Sequence, residues 1–238
     1  MTKKNVLITG GSKGLGFQLV ERFSKISNVS VLSRKKGKLK KNTSFFSVDL
    51  SNHSKTLKTL IKIKKKLKKI DLIICCTGGG KKISNDEINK KILLKYLDLN
   101  FFSVSNLIDT YLKVFRKEKT NIIVISSIAS KKIIDAPIGY SVSKASLDYL
   151  VKILAKKYAS NKIKLNLISP GNILMKGNSW DKKMKKNPKK IKNYIKKNVP
   201  LKRFISVDEI YSTIRLLSDS NSKNITGSDF ILDGGQSI

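Results

Sequence analysis

Cysteine is nearly absent: Cys75 and Cys76 are the only two, and they are adjacent. Neighbours in the chain cannot staple distant segments, and no Cys-x-x-Cys spacing exists for a structural metal or a redox pair. Histidine occurs once, His53, in a polar turn where a capping or exposed role is expected. A histidine-driven nucleophile would need a partner that the sequence does not offer. No apolar run approaches the about 20 residues that cross a bilayer. Lys3 and Lys4 lead into a short apolar run and a glycine-rich turn, which is not the layout of a signal peptide. These absences predict a reduced, cytoplasmic protein with no metal site and no membrane partner. Arginine is also scarce, standing only at positions 22, 34, 116, 203 and 215 beside 45 lysines. With just 16 acidic residues the formal charge reaches +34. Specific nucleic-acid readers cluster arginine for bidentate contacts. Lysines spread along the whole chain instead predict solvated faces and no specific nucleic-acid partner.

What is present is a regular alternation. The chain has 238 residues, 40% of them hydrophobic, which suits one domain over 1–238 with a sizeable core. Asn5–Thr9 is a short apolar run entering a glycine turn. A helix follows with Leu15, Leu19, Phe23 and Ile26 at intervals of three and four. Strands are predicted at Val29–Ser33, Ser44–Val48, Asp71–Cys76, Asn121–Ser126, Lys162–Ser169 and Asp229–Leu232. Helices are predicted at Thr56–Lys69, from about Ile88 to Phe115, from about Ile138 to Ala159, and at Ser206–Ser218. The last opens with Ser206 and Glu209 in a capping-box pattern. Residues 172–200, lysine-rich and containing Trp180, are too long for a plain connection and predict a lid. Buried strands separated by helices give an α/β fold: a Rossmann-like, doubly wound parallel sheet of about seven strands.

Two groups of residues carry chemistry. In the glycine turn, Gly10, Gly14 and Gly16 follow the first strand and open a helix. There a backbone can approach a pyrophosphate and a helix N-terminus offers free N–H groups. At the end of strand two, where an acidic residue would bind a ribose 2′-hydroxyl, the chain has Ser33-Arg34-Lys35. Arg34 suits a 2′-phosphate, with Lys13 as a second cation, so NADP(H) is preferred to NAD(H). The second group is Tyr140 and Lys144, four apart and so on one helix face. A nearby ammonium makes a phenol a usable acid or base. In so lysine-rich a chain that spacing arises by chance, and Tyr158–Lys162 repeats it. Context separates them. Ser127 stands thirteen residues before Tyr140, just past a strand, whereas the same offset from Tyr158 gives Ala145. Tyr158–Lys162 is read as a surface pair.

The glycine turn 9–16, Asp49-Leu50, Asn100, Ser127, Tyr140-x-x-x-Lys144, Asn166, Pro170-Gly171 and Asp233-Gly234-Gly235 fall in the order and spacing of the short-chain dehydrogenase/reductases. The chain resembles that family nearly end to end. The resemblance implies that Tyr140 exchanges the proton of the substrate oxygen, that Ser127 holds that oxygen, and that Lys144 binds the nicotinamide ribose and lowers the Tyr140 pKa. Asn100 would position a water beside Lys144, and Asp49 would contact the adenine. It also implies cofactor contacts from Gly10, Ser12, Lys13, Gly14, Leu15, Gly16, Ser33, Arg34, Leu50, Thr77, Gly78, Pro170, Gly171 and Ile173. A homotetramer built through the long helices and the last strand is implied as well. Two departures stand out: Cys75-Cys76-Thr77-Gly78 replaces the usual Asn-Asn-Ala-Gly, and Met175 replaces a threonine found in many members. The vicinal cysteines are read as core fillers, and Trp180 as lid packing or pocket lining.

Together these features predict an NADP-dependent oxidoreductase acting on a carbonyl or secondary alcohol. Lysines crowding the lid favour an anionic substrate, either a sugar derivative or an acyl chain on an acidic carrier protein. A non-catalytic nucleotide-binding sensor is the rival from another class; it would be marked by loss of Ser, Tyr or Lys from the active group, and all three are present. The excess of lysine predicts self-repulsion. The melting temperature is therefore expected to rise from low to high salt, and a melting curve indifferent to ionic strength would contradict this.

Overall fold

A computed structural model describes residues 3–38, 40–85, 88–116 and 118–238. Seven parallel strands form one sheet: β1 (Asn5–Thr9), β2 (Asn28–Ser33), β3 (Thr43–Ser47), β4 (Leu72–Cys75), β5 (Thr120–Ile125), β6 (Ile163–Pro170) and β7 (Asp229–Leu232). Their order across the sheet is β3-β2-β1-β4-β5-β6-β7. Among the described residues no helix is long and apolar enough to cross a membrane.

The strand residues alternate between two cores, as the two-residue period of a strand requires. On one face Leu7, Ile73, Cys75, Ile122 and Val124 meet α2 (His53–Lys66), α4 (Ser103–Val114) and α5 (Ile138–Tyr158). On the other, Val6, Ile8, Leu72, Ile74, Ile123 and Ile125 meet α1 (Gly14–Phe23) and α8 (Val207–Leu217). Each fully buried aliphatic side chain contributes about 1.5–3 kcal/mol. Both faces must therefore be covered, and the predicted doubly wound sheet is what forms. The strand order reverses between β1 and β4, which opens a crevice at their carboxyl ends. Thr9 ties the crevice walls together, its hydroxyl accepting from Cys76 N (3.0 Å) and Thr77 N (3.1 Å).

Several boundaries differ from the sequence reading. The stretch predicted as one helix from about Ile88 to Phe115 is α3 (Lys90–Leu97), a π turn (Asp98–Phe102) and α4. The wider turn carries Asn100, fully buried, inward. Helix α1 stops at Phe23, so Ile26 lies beyond it and is exposed. Helix α2 starts at His53 and ends at Lys66 rather than running Thr56–Lys69. Asn52 is its cap, accepting from Lys55 N at 2.9 Å. His53 instead meets Asp109, Nε2 to Oδ2, at 2.7 Å. Tyr158 is the last residue of α5, and Lys162 follows a 3₁₀ turn at φ 61°. That pair therefore shares no helix face, and Tyr158 packs partly on the core instead of forming a surface pair.

The 172–200 excursion holds two helices that the sequence reading did not delimit, α6 (Ser179–Lys186) and α7 (Pro188–Asn198). They have a small core of their own. Ile191, Val199 and Phe204 are buried there, with Trp180, Met184, Tyr194 and Ile195 packed around them. Trp180 is thus lid packing, its ring centroid 4.8 Å from Phe204 and 5.2 Å from Tyr194.

Candidate active site

The glycine turn is built around backbone contact. Gly10 (φ 65°) and Gly14 (φ 61°) adopt left-handed conformations that side chains disfavour. A Cβ added at Gly16 would lie 2.5 Å from the Gly10 carbonyl oxygen, so only glycine lets α1 begin this close to β1. Lys13 precedes α1 without a capping side chain, and the first turn holds no acidic residue. Its N–H groups and positive dipole end are left for an anion. Above Gly14 a Cβ would meet only the Met175 methyl, at 3.9 Å. Met175 thus brings the lid against the turn. This bare cradle fits a dinucleotide pyrophosphate.

The 34–38 segment folds back onto the turn, where a Cβ at Gly37 would come within 2.7 Å of the Ser12 carbonyl oxygen. Arg34 and Lys13 are both exposed at this end, and neither forms an ion pair among the described residues. The Ser33 hydroxyl is directed into its own turn, donating to the Lys35 carbonyl at 2.8 Å. Asp49 closes the turn before α2, its Oδ1 accepting from Ser51 N (3.1 Å) and Ser51 Oγ (2.8 Å). Leu15 packs partly, and Leu50 fully, into the two cores.

The second group gathers on the far wall of the crevice. Ser127 follows β5 and caps the short 3₁₀ turn Ile128–Ser130, its hydroxyl oxygen accepting from Ala129 N at 3.2 Å. Tyr140 and Lys144 lie in the first turns of α5. Gly139 lets that helix start close to α3, since a Cβ there would sit 2.4 Å from the Tyr96 ring. Lys144 is 4% exposed, and its ammonium donates to the Ile125 carbonyl at 2.8 Å. The loop after β4 crosses this group. A Cβ at Gly78 would lie 2.8 Å from Asn100 Oδ1 and 3.4 Å from Lys144 Nζ, and one at Gly80 would lie 3.2 Å from the Tyr140 ring. Asn100 fixes the loop: its Oδ1 accepts from Gly79 N (2.8 Å) and its Nδ2 donates to the Tyr96 carbonyl (3.0 Å). Ser127, Tyr140, Lys144, Asn100 and Gly78 are therefore brought together. Pro170 ends β6, Gly171 N bonds to the Leu232 carbonyl (2.9 Å), and Ile173 bridges to Ile205, which anchors the base of the lid.

Burial governs the electrostatics. It raises the Tyr140 pKa; the nearby Ser127 hydroxyl opposes this, and the charge of Asp148 adds to it. The resemblance implied that Lys144 lowers the phenol pKa. In the structure burial is the largest influence on the phenol, and the Lys144 ammonium donates to the Ile125 carbonyl. Burial lowers Lys144 itself to about 8, against an upward pull from Asp148. The Asn100 side chain is spent on the glycine loop and on Tyr96. Cys75 is a core filler as expected, while Cys76 is half-buried beside it. Burial pushes both thiols up, Cys76 to about 12, so neither is poised as a thiolate. The sequence reading singled out neither Asp148 nor Lys131. Yet the helical period that pairs Tyr140 with Lys144 carries Asp148 one turn further along the same stripe.

A lysine with its pKa depressed in the folded state binds its proton less tightly than in the unfolded chain. Its contribution to stability thus rises with pH between about 8 and the ordinary 10.5. Lys144→Met removes that dependence. The melting temperature of the variant minus that of the parent is expected to fall across this window, and a constant difference would contradict the assignment of a depressed pKa.

Comparison with known proteins agrees with this arrangement. A family model described as Enoyl-(Acyl carrier protein) reductase matches residues 17–237. The 3-oxoacyl-[acyl-carrier-protein] reductase FabG of Chlamydia muridarum is 27% identical over 251 residues, which cover 99% of this chain and 98% of the relative. A solved structure of ElxO with NADP bound superposes with a TM-score of 0.88 at 25% identity, covering 99% of both chains. A short-chain dehydrogenase of Leptospira borgpetersenii with bound NAD+ superposes equally well, with a TM-score of 0.88 at 24% identity; it covers 100% of this chain and 94% of its own. A sheet with this strand order, a glycine turn at its switch point and a Ser-Tyr-Lys group across the crevice belong together, and the chain is a member of the short-chain dehydrogenase/reductase family of oxidoreductases.

Proposed function

We propose that the protein interconverts a carbonyl and a secondary alcohol with NADP(H) as preferred cofactor. The observation that carries the reading is Tyr140 and buried Lys144 gathered under the Gly78–Gly80 loop, beside the end of β5 where Ser127 stands and across the crevice from a bare glycine cradle. When bound, the nicotinamide supplies or accepts the hydride. Ser127 holds the substrate oxygen, and Tyr140 gives its proton to that oxygen in reduction or takes it in oxidation. The raised phenol pKa keeps Tyr140 protonated at neutral pH, which suits reduction. Lys144 and Gly78, which adjoin, would hold the cofactor ribose, and the turn of Gly10, Gly14 and Gly16 would hold its pyrophosphate.

Arg34 and Lys13 support the choice of NADP(H), since an arginine fork matches a phosphate dianion. The relatives are mixed on this point, with NADP in one solved structure and NAD+ in another. For the substrate, the outer face of the lid exposes Lys182, Lys183, Lys185, Lys186, Lys189 and Lys190. That field favours an anion, either a charged sugar derivative or an acyl group on an acidic carrier. The several FabG relatives make the second a specific alternative. Exposed Tyr149 and Ile153 on α5 and Ile231 on β7 suit self-association into the expected tetramer.

The test is a panel of carbonyl compounds followed by NADPH oxidation, with NADH run alongside. Tyr140→Phe is expected to lower turnover by about 10²–10⁴-fold while NADPH binding persists; full activity in that variant would end the assignment. Arg34→Ala is expected to weaken NADPH binding and leave NADH binding unchanged, as read by fluorescence titration of each cofactor. Equal losses for both would refute the 2′-phosphate role.

A further inference from the structure

Behind the Ser-Tyr-Lys group lies a charged cluster that the function above leaves unused. Asp148 is 7% exposed and sits one helical turn beyond Lys144 and two beyond Tyr140 on α5. Its two oxygens grip both flanks of Ser127: Oδ1 accepts from the Ser126 hydroxyl, and Oδ2 from the Ser130 hydroxyl at 2.5 Å. Lys131, next in the same loop, donates to Asp148 Oδ2 at 2.6 Å and pairs with Asp229 of β7 at 2.5 Å. It also donates to the Ser169 hydroxyl at 3.0 Å, immediately before Pro170-Gly171 and the lid.

We propose that Asp148, neutralised by Lys131, is a positioning residue that locks the Ser127 loop to the helix bearing Tyr140 and Lys144, and through Ser169 to the base of the lid. The proposal rests on the reading of Ser127, Tyr140 and Lys144 as the reacting group. A surface ion pair would not do this, because an exposed pair is worth little and leaves its side chains mobile. A part-buried carboxylate with both oxygens engaged is rigid, and breaking it leaves charge or donors unpaired. Burial disfavours the charge of Lys131, yet its pairing with Asp148 and Asp229 outweighs that and raises its pKa, so Lys131 stays charged at neutral pH. The titratable groups facing Asp148 and the site are Tyr140 and Lys144 on its own helix and Lys131 from the loop. Asp229 faces them from β7, and Cys75 and Cys76 approach Lys144 from the end of β4. The arrangement uses one carboxylate to set the separation of Ser127 and Tyr140.

Asp148→Asn keeps the shape while removing the charge and one acceptor. In protein labelled on its tyrosine rings, the Tyr140 NMR signal is identified by its loss in Tyr140→Phe, and Asp148→Asn is expected to move it at neutral pH without substrate. With para-nitrobenzaldehyde and NADPH, or the best compound of the panel, kcat is expected to fall by up to about a hundredfold with NADPH affinity unchanged. Reduction needs the phenol protonated, and the charge of Asp148 raises the phenol pKa. The alkaline limb of the rate profile is therefore expected to shift to lower pH in the variant. An unmoved Tyr140 signal together with an unshifted limb would overturn the proposal while leaving the function intact, provided Tyr140→Phe is inactive. Turnover by Tyr140→Phe, or none by the parent, would instead defeat the function, and the NMR signal would still decide whether the clamp holds. Should Asp148→Asn fail to fold, Ser130→Ala removes one clamp bond and carries the same readouts.

Discussion

Everything in this molecule depends on seven strands running the same way. A parallel sheet needs a crossover connection between successive strands, here a helix everywhere except between β2 and β3, and cover on both faces. All carboxyl ends then lie along one edge, and the loops that leave them must share it. The Gly10 turn after β1, the Gly78 loop after β4, Ser127 after β5 and Pro170-Gly171 at the end of β6 come from segments far apart in the chain. The strand order, reversing between β1 and β4, decides where along that edge a crevice opens. The chemistry is a consequence of that geometry, since residues on opposite sides of the reversal face each other across it.

Within that frame, burial separates the lysines that matter from those that do not. The chain is saturated with lysine, and among the described residues Lys144 alone is buried. An ammonium out of water must find a partner. Lys144 finds the Ile125 carbonyl, which fixes its position beside Gly78 and costs it basicity. Lys131 takes the other route, pairing with two carboxylates and retaining its charge. The lysines of α6 and α7 stay in water and act only through their summed field. Three physical situations thus follow from one residue type.

The fold was legible because it rests on periodicity. Apolar runs of strand length between helical patterns predicted every strand, and β7 at its observed limits of Asp229–Leu232. The glycine turn and the Ser127–Tyr140–Lys144 spacing were legible for a related reason, being local patterns attached to element ends. What failed was less local. Tyr158–Lys162 has the right spacing, but the helix ends between its members. The π turn at Asp98–Phe102 inserts an irregularity that no pattern announced, and it is the irregularity that aims Asn100 inward.

The amino-acid sequence by itself determined the order of elements, the two-faced parallel sheet and the positions of the glycine, serine, tyrosine and lysine groups. These depend on intervals of two, three and four residues, and such intervals are written in the chain. Only the tertiary structure decided that Asp148 grips both sides of Ser127 and that Lys131 joins it to β7. It also decided that Met175 lies over Gly14 and that desolvation governs the acid–base groups. Those facts depend on what a side chain meets across the fold, and sequence separation carries no measure of that distance.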